Sequence, residues 1–101
     1  MKGNEGVAFR IGTRVLAIQA TDGGYDYTIY HESPQLIDGG ILDAPGKNIY
    51  EAAAEVLAGE DWMFQDAGLT DEQRVTAAAA VLSNALAMPY PYYNFEEVLV
   101  P

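Results

Sequence analysis

Hydrophobic and polar residues alternate in the first part of the chain, while in the second part the apolar residues recur every three to four positions, so strands are expected first and helices after. Val7, Phe9 and Ile11 fall on one side of a predicted strand, and Gly12-Thr13 supplies a tight turn. Arg14 to Ala20 follows, with Val15, Leu16 and Ile18 on both of its faces. Asp22-Gly23-Gly24 reads as a hairpin turn, because Asp-Gly and Gly-Gly tolerate the positive φ that such turns demand. The next strand, Tyr25 to Tyr30, sets Tyr25, Tyr27 and Ile29 on one face and Asp26, Thr28 and Tyr30 on the other. Ser33-Pro34 breaks it, Leu36-Ile37 begins a fourth strand, and Asp38-Gly39-Gly40 either turns or bulges that strand before Ile41-Leu42.

After a joint at Asp43 to Lys47 the period becomes helical. Asn48 with Glu51 three residues on forms a capping box; Ile49, Ala53, Val56 and Leu57 make one stripe, and Gly59 ends the helix. Asp61 to Leu69 is a connector. Thr70 with Gln73 repeats the capping signature, a second stripe runs through Val75, Ala78, Ala79, Leu82 and Leu86, and Pro89 and Pro91 stop it. The tail, Tyr90 to Pro101, is aromatic and ends in Val98-Leu99-Val100, as an edge strand or an extended arm. The expected fold is therefore α+β: an antiparallel N-terminal meander of three or four strands packed by two C-terminal helices, with an aromatic tail. One domain spans 1–101, with the meander over 1–43, the helices over 48–88 and the tail over 89–101.

Composition narrows the function. A chain of 101 residues makes one domain, burying about 65% of the surface that its unfolded form exposes. It contains no cysteine, which removes disulfides, thiolate metal sites and a cysteine nucleophile. Neither a signal-length apolar stretch at the N-terminus nor a run long enough to span a bilayer is present in the sequence, so a cytoplasmic location is expected. The net charge of −10 argues against direct binding of nucleic acid or an anionic membrane and favours a partner protein with a basic surface.

Candidate chemistry is sparse. His31 beside Glu32 is the only histidine, with no serine or cysteine at a recognised spacing, and reads as a surface residue. Asp22, Asp26, Asp38 and Asp43 flank turns and lack the ligand density of a calcium loop. The pairs Gly23-Gly24 and Gly39-Gly40 match no phosphate-binding pattern. No enzyme activity, cofactor or metal is expected, a small enzyme standing only as the second alternative to a binding role.

The charge is unevenly placed. Residues 1–47 hold 6 acidic and 4 basic side chains, a net of −2, whereas residues 48–101 hold 9 acidic against Arg74 alone, a net of −8. Glu51, Asp71 and Glu72 fit helix first turns, where the macrodipole favours anions. That leaves Glu55, Glu60, Asp61, Asp66, Glu96 and Glu97 as the candidate acidic partner surface. Trp62, Phe64, Tyr90, Tyr92 and Tyr93 are the candidate aromatic anchors, large rigid side chains suited to interfaces. A structural module that dimerises through those aromatics is the alternative.

Three runs carry a resemblance: Asp22-Gly23-Gly24-Tyr25-Asp26-Tyr27-Thr28, then Asp38-Gly39-Gly40-Ile41-Leu42-Asp43, then Tyr50-Glu51-Ala52-Ala53. Over roughly residues 7–58 the chain resembles the small large polyvalent protein-associated domains of Firmicutes conjugative elements and phages. The resemblance implies an accessory role on mobile DNA and brings no catalytic residues. With the acidity, it implies an inhibitor of a host nucleic-acid-targeting defence, of the anti-CRISPR or anti-restriction kind, acting as a nucleic-acid mimic.

Overall fold

A computed structural model describes residues 6–31, 36–43, 45–64 and 67–89. Four consecutive strands, β1 (Gly6–Ile11), β2 (Arg14–Thr21), β3 (Gly24–His31) and β4 (Leu36–Leu42), form the antiparallel meander that the alternation implies. Helices α1 (Ile49–Ala58), α2 (Asp61–Phe64) and α3 (Asp71–Asn84) follow, and a fifth strand, β5 (Leu86–Pro89), returns to the sheet beside β1. The strand order is β4-β3-β2-β1-β5. The fold class is α+β, with one more strand than the alternation alone shows.

The register sorts the side chains into two faces. Phe9 lies opposite Leu16, and Leu16 opposite Ile29; with Ile18 these form the apolar face on which the helices sit. Ile49, Ala52, Ala53, Val56 and Leu57 from α1 and Ala78 and Leu82 from α3 complete that core. Alanine predominates where the layers meet, which lets α1 approach the sheet closely. Tyr25 and Tyr27 pack against the rim of the same core, and the Tyr25 hydroxyl donates to the Lys47 carbonyl at 2.7 Å, pinning the joint to β3.

Both helices begin on complete capping boxes. The Glu51 amide donates to Asn48 Oδ1 at 2.8 Å and the Asn48 amide to Glu51 Oε1 at 2.9 Å. The Gln73 amide donates to Thr70 Oγ1 at 3.2 Å and the Thr70 amide to Gln73 Oε1 at 2.9 Å. These bonds satisfy first-turn amides that have no intrahelical acceptor. Substituting Asn48 with alanine is expected to cost about 1 kcal/mol, read as a lower urea midpoint at unchanged m-value. An unchanged midpoint would show that the cap contributes nothing to α1.

Three local expectations are corrected. The second helix ends at Asn84, not near residue 88: Ala85 is extended at φ −84° and ψ 149°, and Leu86 leaves the helical stripe to lie 64% exposed in β5. Met88 precedes a proline, which disfavours helical geometry there, and pairing with β1 satisfies the backbone instead. The connector contains a helical turn, α2, which carries Phe64 into the core. Asp38-Gly39-Gly40 does not turn; β4 runs through both glycines, and the irregularity falls at Ile37, skipped between the pairs Ile29–Asp38 and Tyr30–Leu36. Gly59 does end α1, in right-handed geometry at φ −83°.

Candidate functional site

α1 and α3 pack side by side and run in opposite directions. The start of α1 (Asn48, Glu51) and the end of α3 (Ser83) line one groove, while Arg74 early in α3 donates to the carbonyl of Ala58 at the end of α1, at 3.5 Å. That bond places a cation against the exposed carbonyls of a helix C-terminus, where the macrodipole favours it.

The groove has a volume of about 570 Å³ and an apolar lining of Phe9, Tyr50, Ala54, Val75, Ala79 and Leu82. Phe9 is buried at its base, and Tyr50 stands over it edge to face, ring centroids 5.8 Å apart at 74°. Tyr50 is 53% exposed, so its outer surface remains open to solvent. The groove exists because α3 presents small side chains there: Ala79 and Ser83 leave space that leucines would fill. Lys47, Glu51 and Glu55 line its polar edge. Lys47 is ion-paired with Glu55, and Glu51 is engaged in the α1 cap.

The antiparallel arrangement brings the end of α1 and the start of α3 to one end of the helical layer. Glu60 and Asp61 follow α1, and Asp71 and Glu72 occupy the first turn of α3; Asp61, Asp71 and Glu72 are exposed. Glu60 is half-buried and accepts from Trp62 Nε1 at 3.1 Å. Arg74 lies in a shallow depression here with Glu55 and Asp71. The sequence reading separates Asp71 and Glu72 from the candidate surface as helix-start residues, and the fold brings Asp71 to the same depression as Glu55 and Gly59, the residue before Glu60.

The aromatic candidates are placed differently. Phe64 is buried in the core. Trp62 is half-buried, with the Arg14 guanidinium 4.6 Å over its ring, an arrangement worth about 0.5–1 kcal/mol at a partly exposed site. Both rings hold the connector to the sheet rather than standing clear of it. Asp66, Tyr90, Tyr92, Tyr93, Glu96 and Glu97 lie outside the described residues, as does the Val98–Val100 segment. His31 ends β3, opposite Arg14. Among the described residues no group of three or more His, Asp or Glu side chains could hold a metal, and no helix is long and apolar enough to cross a membrane. Of the groove residues, Tyr50 stands out in the sequence as the head of the Tyr50-Glu51-Ala52-Ala53 run, whereas Phe9, Val75, Ala79 and Leu82 read there only as positions on apolar strand and helix faces.

An α+β domain with one helical layer on a five-stranded antiparallel sheet is the class that this geometry defines. Residues 3–81 match the model of the family described as large polyvalent protein-associated domain 16, and the chain belongs to that family. The match runs on through most of α3, well beyond the 7–58 stretch in which the short motifs lie. No curated protein and no solved structure matches the chain.

Proposed function

We propose that this is a non-enzymatic protein-binding domain of a mobile element, whose helical layer receives a basic partner segment with an apolar face. The observation that carries it is the open α1–α3 groove, apolar on its floor and continuous with an acidic end of the same layer. Apolar anchors entering such a groove provide affinity, while the surrounding charge provides orientation and on-rate. The titratable groups at the groove are already engaged, Lys47 with Glu55 and Glu51 with the cap, which favours binding over acid–base chemistry. The mobile-element setting comes from the resemblance, and with it the finer reading: the partner is a nucleic-acid-binding effector of a host defence, and the acidic end occupies its basic channel.

The test is affinity for purified restriction or CRISPR effectors across a salt series. Binding is expected to weaken at least about tenfold between 50 and 200 mM salt, as for contacts between several opposed charges. The pair Glu60→Lys and Asp61→Lys should weaken it further and flatten the salt dependence, while Ala79→Arg, which obstructs the groove, should weaken it at every salt concentration. Binding indifferent to salt and to the charge pair would overturn the mimic reading; binding indifferent to Ala79→Arg would overturn the groove.

A further inference from the structure

The groove and the depression at the other end of the helical layer share two lining residues, Glu55 and Val75, so together they form one trough along the α1–α3 seam. Both of its walls are helices, whose main-chain groups are bonded internally along most of their length. An extended peptide would find no row of free amides and carbonyls along such walls, whereas a helix needs only side-chain packing. α1 has 10 residues and is about 15 Å long, enough to lie against about three turns of a partner helix. The charge of the trough centres on Glu55. Glu51 and Glu55 are one turn apart on α1, and both line the groove. Glu51 is held by the Asn48 cap, while Glu55 is ion-paired with Lys47. The side chains of that pair are 42% and 32% exposed, so the pair faces water and contributes little to stability. The Lys47 main chain is fixed separately, because the Tyr25 hydroxyl donates to its carbonyl. Its side chain can therefore leave Glu55 without the joint moving.

Resting on the groove reading, we infer that the partner segment is an amphipathic helix with a lysine or arginine beside its apolar stripe, and that Lys47 holds that cation's place at Glu55 in the free protein. Large apolar side chains of the helix fill the space that Ala79 and Ser83 leave over Phe9. Its cation pairs with Glu55, and Lys47 is released into water. One exposed ion pair is exchanged for another, so the step costs little for a cationic helix. A neutral helix gains nothing from it and leaves Lys47 where it is. Glu55 thus reads the charge of the partner, and Lys47 sets the affinity that a cationic partner must exceed.

The probes are helical peptides of about 15 residues with leucines at i, i+3, i+4 and i+7, otherwise uncharged, carrying one lysine on either flank of that stripe or norleucine in its place. Affinity for the whole chain is read by NMR shift titration. A lysine peptide is expected to bind more tightly than its norleucine counterpart. Lys47→Met should raise the lysine peptide's affinity roughly two- to fivefold and leave the norleucine peptide unchanged. Glu55→Gln should abolish the difference between the peptides, and in that background Lys47→Met should add nothing. A gain from Lys47→Met that persists beside Glu55→Gln would overturn the inference, since it would come from net charge and not from competition at Glu55. Equal affinity for lysine and norleucine peptides, both blocked by Ala79→Arg, would also overturn it and leave the groove standing. If neither peptide binds, or binding ignores Ala79→Arg, the groove reading falls with it. A proline-interrupted peptide of the same composition that binds equally well would show an extended occupant in place of a helix, against the inference.

Discussion

Replacing Gly24 with alanine is expected to destabilise the fold by roughly 3 kcal/mol or more. A Cβ at this position would stand 2.2 Å from the Leu42 carbonyl oxygen, 3.2 Å from its carbon and 3.3 Å from Asp43 Cα. All three are backbone atoms, so no side chain can rotate away. Relief would require the end of β4 to separate from the start of β3, at the closing pair Tyr25–Leu42. Gly24 also has φ 157°, which L residues rarely adopt. Gly23 next to it is an internal control: a Cβ there meets nothing within 4 Å, and Gly23→Ala should change stability by less than about 1 kcal/mol. Urea denaturation of the two variants gives the comparison, and equal midpoints would show that β4 yields without cost.

The same hairpin shows what local chemistry can and cannot reveal. Asp22-Gly23-Gly24 identifies a turn because the requirement for unusual backbone angles is written in adjacent residues. The capping boxes at Asn48 and Thr70 are legible for the same reason, as their partners are three residues apart. That Gly24 is a strand residue pressed against Leu42, by contrast, depends on how β4 returns. β5 is hidden by a similar dependence. Leu86 satisfies a helical stripe as well as a strand, and only pairing between Ala8 and Met88 and between Phe9 and Ala87 decides for the strand. Trp62 and Phe64 look like interface anchors until Arg14 and the core, far away in sequence, take them up. The groove was illegible because its walls come from β1, α1 and α3, and no periodicity within one element reports a gap between three.

Truncating Phe9 to alanine is expected to cost about 3–5 kcal/mol, more than any change on the helix surface. Phe9 is 1% exposed and lies between Leu16 of β2 and Ala87 of β5, so its loss leaves a cavity under both strands and under α1. Its ring also supports Tyr50, yet that contact contributes little of the total: an edge-to-face pair is worth about 0.5–1.5 kcal/mol beyond area burial. Tyr50→Ala should therefore lower stability by only about 1 kcal/mol, half of the ring being in water already. A double-mutant cycle by urea denaturation should return a coupling within the range of a ring pair, because each single change removes the same contact. A coupling near zero would mean that the two rings are neighbours without interaction. The asymmetry bears on function. Phe9 shapes the groove from below and cannot be changed without weakening the fold, whereas Tyr50 forms its wall and can be. Tyr50→Ala is accordingly the variant that separates partner binding from folding: a well-folded chain with weakened affinity would assign the wall of the groove to recognition.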